Sequence, residues 1–322
     1  VRRVAAGLGL LAFVALAAVA ARFLCGATGF GFPAPEAFRY RAFAAGSGAA
    51  VGACLGLAGL FLQALLRNPL ASPFILGISG GASLGYVLSL YLAWRFGSET
   101  VGILGPVPSA TLGALVSMFV VWRLGTRDGA IDPLTLVLAG AVTGAIAGAL
   151  TMAVQSLAPG GVRADLVAWL LGRIPEAPSP WLLALVAGLA GLGLVVGLAC
   201  ARALDAATLS DDEASSLGLS LPRLRLALFV LACTLTAATV ALAGPIAFVG
   251  LVAPHAARLA LGARHGPLVP GAALAGVAIL VGADAARQSV DLGAGRMPVG
   301  VVTAFLGGTA FLVLLRRARW NA

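Results

Sequence analysis

Gln63-Ala-Leu-Leu-Arg67-Asn68-Pro69-Leu-Ala-Ser-Pro73-Phe-Ile-Leu-Gly77-Ile-Ser79-Gly80-Gly81-Ala-Ser-Leu-Gly85 is the sharpest interruption in an otherwise apolar chain. An apolar helix running to Leu65-Leu66 meets Arg67-Asn68-Pro69. Proline has no N–H, clashes with the preceding turn and pushes the residue before it out of helical geometry. Pro73 repeats the block, and a new apolar run follows with Gly77, Gly81 and Gly85 on one helical face. Two broken helices beside a glycine stripe imply backbone that approaches something closely. The stripe is read either as a packing seam or as the wall of a pathway.

Working outward, the break lies in a chain of 322 residues of which only 10% are charged, against about 25% in a soluble domain. The mean hydropathy is +1.02. No polar stretch is long enough for a soluble domain, so the expected class is an all-α polytopic membrane protein and a single transmembrane domain over 1–322. About 20 apolar residues cross a bilayer. Ten candidate spans meet that length or approach it: 4–24, 43–66, 74–94, 101–124, 133–157, 181–203, 224–243, 246–262, 267–286 and 298–315. The first begins Arg2-Arg3 and could be read as a cleaved signal with Ala18-Val19-Ala20 before the cut; its length favours a retained helix.

All 21 basic residues are arginine and the net charge is +9. In a soluble chain this would suggest nucleic acid. Between apolar spans it is read as topology and contact with anionic headgroups, with no nucleic-acid partner. Twelve arginines fall on the side of the termini and eight on the other, which places both termini in the cytoplasm. Cys25, Cys54, Cys200 and Cys233 have neither C-x-x-C spacing nor a metal-ligand pattern, so disulfides and metal sites are not expected.

A repeat is visible at an offset of 185: Leu57-Ala58-Gly59 matches Leu242-Ala243-Gly244, Pro69 matches Pro254, and Leu76-Gly77 matches Leu261-Gly262. The offset covers an odd number of spans, so the copies, roughly 1–160 and 181–322, lie inverted. A 5+5 inverted repeat with broken helices in matching places is a transporter signature. The most polar internal segment, 205–223, contains Ser210-Asp211-Asp212-Glu213, where Ser210 is an N-cap candidate with acids in the first turn. Gly218 closes that short helix and Pro222 opens the next element. A capped helix with Leu217, Leu219 and Leu221 beside it reads as a docking element for a cytoplasmic partner.

Little chemistry is available inside the spans. Asp284 and Arg287 are spaced to pair with each other, and His255 and Arg258 follow Pro254 at the second break. No core carboxylate set suits proton coupling, and no phosphate-binding loop ends in Lys, so no nucleotide site or catalytic residue is expected. Gly77-Ile78-Ser79-Gly80 has the form of an intramembrane serine protease motif with His255 as base, but the span count does not fit one.

These strings resemble the membrane permease subunits of the type II ABC importers, which take up iron–siderophore, haem and cobalamin. The resemblance rests on Arg67-Asn68-Pro69-Leu70-Ala71-x-Pro73 through Gly81-Ala82, on Phe248-Val249-Gly250-Leu251-Val252-x-Pro254-His255-x-x-Arg258, on Ala283-Asp284, and on Met297-Pro298-Val299-Gly300 through Leu306-Gly307. It implies ten helices per subunit and a homodimer with the pathway on its two-fold axis. It also implies two ATPase subunits, which hold the ATP and Mg, and a separate substrate-binding protein. By the same resemblance Asp211, Asp212, Glu213, Ala214, Leu217 and Gly218 contact the ATPase. Ser79, Gly80 and Gly81 with Ile131, Asp132 and Pro133 form gates. Arg41, Arg173, Arg287 and Arg296 meet the binding protein. Arg173 alternatively bridges to Glu176. Arg41-Ala42-Phe43-Ala44 lacks the family's usual second arginine, and Arg296 replaces an acid. The competing class is an ion-coupled secondary transporter.

Overall fold

A computed structural model describes residues 2–26, 29–97, 105–127, 130–289 and 296–318, without the side chains of 313–318. Among these, α1 (Arg2–Leu24), α2 (Pro35–Leu65), α3 (Ile78–Phe96), α4 (Pro106–Leu124) and α5 (Pro133–Leu157) make the first half. A short α6 (Gly160–Leu170) precedes α7 (Pro180–Ala199), α8 (Ala201–Ala206) and α9 (Asp211–Ser216). The second half continues with α10 (Leu221–Ala243), α11 (Val249–Leu261), α12 (His265–Gln288) and α13 (Val299–Ala318). Two minimal antiparallel hairpins close turns: β1 (Cys25–Gly26) with β2 (Gly29–Phe30), and β3 (Thr126–Arg127) with β4 (Ala130–Ile131).

Seven of these helices, α1, α2, α4, α5, α7, α10 and α12, are long and apolar enough to cross a membrane. The other three expected spans coincide with α3, α11 and α13, of which α11 has only 13 residues. At 1.5 Å per residue that is about 20 Å, short of a ~30 Å hydrocarbon core. The expected start of the fourth span at 101 lies outside the described residues, as do position 1 and residues 319–322.

The core is built around α2. Its most apolar window is 83% buried, against 11% for α1 and 17% for α5. Small residues make that burial possible, because within lipid only close backbone packing and polar contacts hold helices together. A methyl added at Gly59 would sit 1.7 Å from the Gly250 carbonyl oxygen. Across α12, a methyl at Gly52 would sit 2.5 Å from the Gly276 carbonyl oxygen. The faces of α1, α4, α5 and α7 that remain carry exposed Phe13, Leu112, Phe119, Leu138 and Val195.

A Gly244-Pro245 break between the seventh and eighth spans is expected from the sequence and is present, whereas the break expected at Pro254 is not. Pro254 does not interrupt the chain; it sits inside α11, and the break lies between α10 and α11 at Gly244 (φ 72°) to Phe248 (φ 67°). The helix tolerates Pro254 because the carbonyl deprived of its i+4 donor belongs to Gly250. That carbonyl is the one against which Gly59 packs. Both α3 and α11 are entered through a left-handed residue, Gly77 (φ 70°) and Phe248 (φ 67°).

Candidate functional site: two clefts and two ion-pair locks

Contacts place α9, Arg67, strands β3 and β4 and the start of α12 at one end of the molecule: Asp211 meets Arg67 in a cleft lined by Arg127 and Ile131, and Asp205 meets His265. Arg22, Glu176 and Asp284 share the other. The break at 66–77 begins at the α9 end and turns inward. Arg67 takes a left-handed conformation (φ 46°), and the Asn68 side chain accepts from the Leu70 amide at 2.9 Å. Successive turn bonds follow, from Ala71 N to Asn68 O (3.1 Å), Ile75 N to Ser72 O (3.1 Å) and Gly77 N to Phe74 O (3.3 Å). The loop ends with Gly77 against α5, where a methyl would lie 2.6 Å from the Gly140 carbonyl oxygen. Gly140 is seven residues into α5, so α3 starts roughly 10 Å inside the helix layer. The break thus starts at the surface, where residues 67–70 are exposed, and only its end at Gly77 lies within the helix layer.

The gate residues expected there have separate surroundings. Ser79 and Gly80 face a cavity of about 400 Å³ between α3, α5 and α6, together with Thr151, Gln155 and Pro245. A methyl on Gly80 would meet only ordinary contacts, Ala147 Cβ and Gly144 O at 3.4 Å. Gly81 turns the other way: a methyl there would lie 2.5 Å from both Gly113 O and Ser117 Cβ of α4. The stripe of Gly77, Gly81 and Gly85 is therefore a helix seam, and Gly80 beside it stands on the cavity wall. Tyr86 stacks on Trp169 at 3.7 Å and holds α6 over α3. The protease-like reading finds no support, since His255 Nδ1 bonds its own helix at Leu251 O (2.9 Å).

The other expected gate, Ile131, Asp132 and Pro133, lies at the surface. Asp132 is the N-cap of α5, accepting from the Thr135 amide at 2.9 Å, and Pro133 is the first helical residue. These residues line a cleft of about 620 Å³ together with Asp211, Arg67, Arg127 and Arg225. Two segments named separately from sequence thus share one polar site. The hydrogen bond from the Thr135 hydroxyl, then that from its amide, holds the Asp132 carboxyl below the usual range; Arg127 and Arg225 add to this against some burial.

On the far side of that cleft, α9 is a capped helix. Ser210 Oγ accepts from Glu213 N, and the Glu213 carboxylate accepts from Ser210 N at 3.0 Å, a reciprocal capping box. The Ser210 bonds hold the Glu213 carboxyl below its usual range. Asp211 pairs with Arg67 at 2.7 Å and with Arg225 at 3.0 Å. Burial alone would raise the Asp211 carboxyl, but Arg225 and Arg67 prevail and hold it low. Ala214 is buried beneath the helix, Gly218 (φ 78°) ends it, and Leu217 projects 68% exposed. Asp212 is exposed beside it. Behind α9, Asp205 accepts from the backbone N–H of His265 at 2.8 Å and contacts its Nδ1 at 2.7 Å, capping α12 from sixty residues away.

At the opposite end a second lock ties α1 to α12. Asp284 is fully buried between Arg22 and Arg287, and Arg22 also reaches Glu176 at 3.0 Å. The expected Asp284–Arg287 pair is present. Arg22 was not foreseen as its partner, because nothing local in the sequence links positions 262 apart. Glu176 pairs with Arg22 and with Gln288 rather than with Arg173.

Of the arginines expected to meet a binding protein, Arg41 is 7% exposed and donates to the carbonyls of Leu24 (2.7 Å) and Gly31 (2.8 Å). Arg287 is engaged with Asp284. Arg173 is exposed, and Arg296 is partly so. No group of His, Cys, Asp or Glu suited to a metal ion occurs among the described residues.

Residues 32–317 match the FecCD transport family. The chain is 36% identical over 276 residues to the cobalamin import system permease protein of Halobacterium salinarum, covering 84% of this chain and 70% of that protein. It is 35% identical over 270 residues to the hemin transport system permease protein of Yersinia pestis, covering 84% and 79%. It is 36% identical over 270 residues to the Fe(3+) dicitrate transport system permease protein of Escherichia coli, covering 84% and 81%. A solved structure described as an inward-facing conformation of a metal-chelate type ABC transporter superposes with a TM-score of 0.84 at 26% identity, over 97% of this chain and 99% of that one. A helix break beside an open cleft, a capped acid-rich helix near it and this similarity agree: the chain belongs to the FecCD transport family, the membrane permease subunits of type II ABC importers.

Proposed function

We propose that this permease works as a homodimer with two ABC ATPase subunits and a substrate-binding protein. In this reading it moves an iron chelate (siderophore or haem) or cobalamin inward by alternating access. The observation that carries the proposal is the meeting of α9, the helix break and the β3–β4 turn at one cleft. A partner that pushes on α9 there acts on the segment leading to the Ser79–Gly80 wall. The α9 end is cytoplasmic, as are both termini. Asp212 and Leu217, exposed on α9, are the ATPase contacts, whereas Asp211 and Glu213 shape the helix from within. Ten crossings in a 5+5 inverted arrangement belong to the same proposal, with α3 and α11 as the shortened members of the two halves. At the outer end Arg173 and Arg296 are the charges offered to the binding protein, and Arg41 and Arg287 brace the surface behind them.

Ion coupling is the weaker class. Among the described residues the single buried carboxylate, Asp284, is held by two guanidiniums and is not free to cycle a proton or sodium ion.

Co-purification with the ABC ATPase tests the reading. The wild-type permease is expected to elute as a complex of two permeases with two ATPases. Asp212→Arg combined with Leu217→Glu is expected to lose the ATPase while the free permease keeps its melting temperature. Retention of the ATPase with normal uptake by that variant would overturn the docking assignment.

A further inference from the structure

Arg67 is one of two non-glycine residues at positive φ among those described, and the only one whose side chain makes an ion pair. An L residue held there stores strain, which persists only where surrounding contacts over-determine it. The backbone N–H of Arg67 donates to Ala64 O of its own helix end, but its side-chain contacts come from one neighbour. Arg67 Nε donates to the Ala207 carbonyl at 2.9 Å, and Nη1 meets Asp211 at 2.7 Å. The guanidinium therefore grips both ends of the 207–211 turn that presents α9. On its own side it is joined to the break by short links: Asn68 N donates to Gln63 O (3.2 Å), and the turn bonds continue to Gly77. The Ser117 hydroxyl then holds Gly77 O at 2.9 Å. Gln63 reaches from the end of α2 to Leu251 O of α11 (3.4 Å), so the second broken helix is tied to the same joint.

We infer that Arg67 is the positioning residue that transmits movement of α9 to the break at 66–77, and through it to the Ser79–Gly80 wall. It acts through the loop and does not touch the substrate. Arg225 binds the same Asp211 carboxylate but from α10, and among the described residues its hydrogen bonds go to Asp211 and none to residues 66–77. That difference separates transmission from simple bracing of α9.

The inference rests on the ATPase-driven reading, and the test distinguishes the two. The complete complex is reconstituted in liposomes, and ATP hydrolysis and uptake of the bound chelate are measured in the same preparation. Arg67→Asn suits the backbone, since Asn tolerates the left-handed region, but cannot reach Ala207 or Asp211. It is expected to keep ATPase association and hydrolysis while uptake per ATP falls on the order of tenfold. Arg225→Gln is expected to keep uptake per ATP near wild type. Arg67→Gly, which relieves the positive φ outright, carries the test if the Asn variant fails to assemble. Equal uptake per ATP in wild type and Arg67 variants overturns the inference, as does an equal loss in Arg225→Gln. Absence of ATP-dependent uptake in the wild type would instead sink the ATPase-driven reading.

Discussion

Glycines 80 and 81 are adjacent and do different work. A Gly81→Ala methyl would collide with the Gly113 carbonyl and Ser117 of α4. Overpacking of this kind costs about 1–3 kcal/mol, so the variant should melt at lower temperature in detergent. Gly80→Ala meets contacts at 3.4 Å and projects toward the cavity. It should melt as wild type does, with uptake slowed. Thermal unfolding beside an uptake assay checks both expectations. The spacing of four between Gly77, Gly81 and Gly85 was readable in the sequence, but that this stripe is a seam with Gly80 beside it on a wall was not. It depends on where α4 and α5 stand, and no local pattern encodes that. Asp284 with Arg287 was readable for the opposite reason, because three residues on a helix bring side chains together. Arg22, which completes the lock, reaches Asp284 only through the packing of α1 on α12.

Among the elements, α1 and α12 depend on that lock. Breaking a buried ion pair by deleting one partner typically costs about 3–5 kcal/mol, because a charge is left uncompensated. Asp284→Ala leaves Arg22 and Arg287 facing each other and should destabilise by about that amount. Glu176→Gln, at an exposed partner, should change little. Denaturation in detergent micelles reads the difference.

The α9 element gives a pH prediction. The folded Glu213 and Asp211 carboxyls lie below their usual range. Their contribution is therefore complete above about pH 4.3, the ordinary carboxylate value, and is lost as pH falls through the lower folded values. Amide protection across 211–216 should stay constant from neutral pH down to that range and drop beneath it. Constant protection further down would contradict the capping account. The capped helix itself was legible from Ser210, its acids and Gly218. The break at Gly244-Pro245 was legible, but the match of Pro254 with Pro69 added one at Pro254 that the chain does not have. The freed Gly250 carbonyl instead lets α2 pack against an unbroken α11. The short α6 was not foreseen because its 11 residues lie between the fifth and sixth spans and are too few to cross a bilayer.

For the whole molecule, the membrane class followed from composition alone, since no polar stretch could form a soluble domain. The proposed dimer and pathway did not follow. Exposed apolar faces on α4 and α5 look the same in sequence whether lipid or a second copy covers them. The account makes this chain a conduit whose energy enters at α9 from a partner. The most direct measurement is chelate uptake into proteoliposomes holding the permease, its ABC ATPase and the binding protein. Uptake should require hydrolysable ATP on the α9 side and continue when proton and sodium gradients are collapsed. Accumulation by the permease alone, driven by such a gradient and indifferent to ATP, would contradict it.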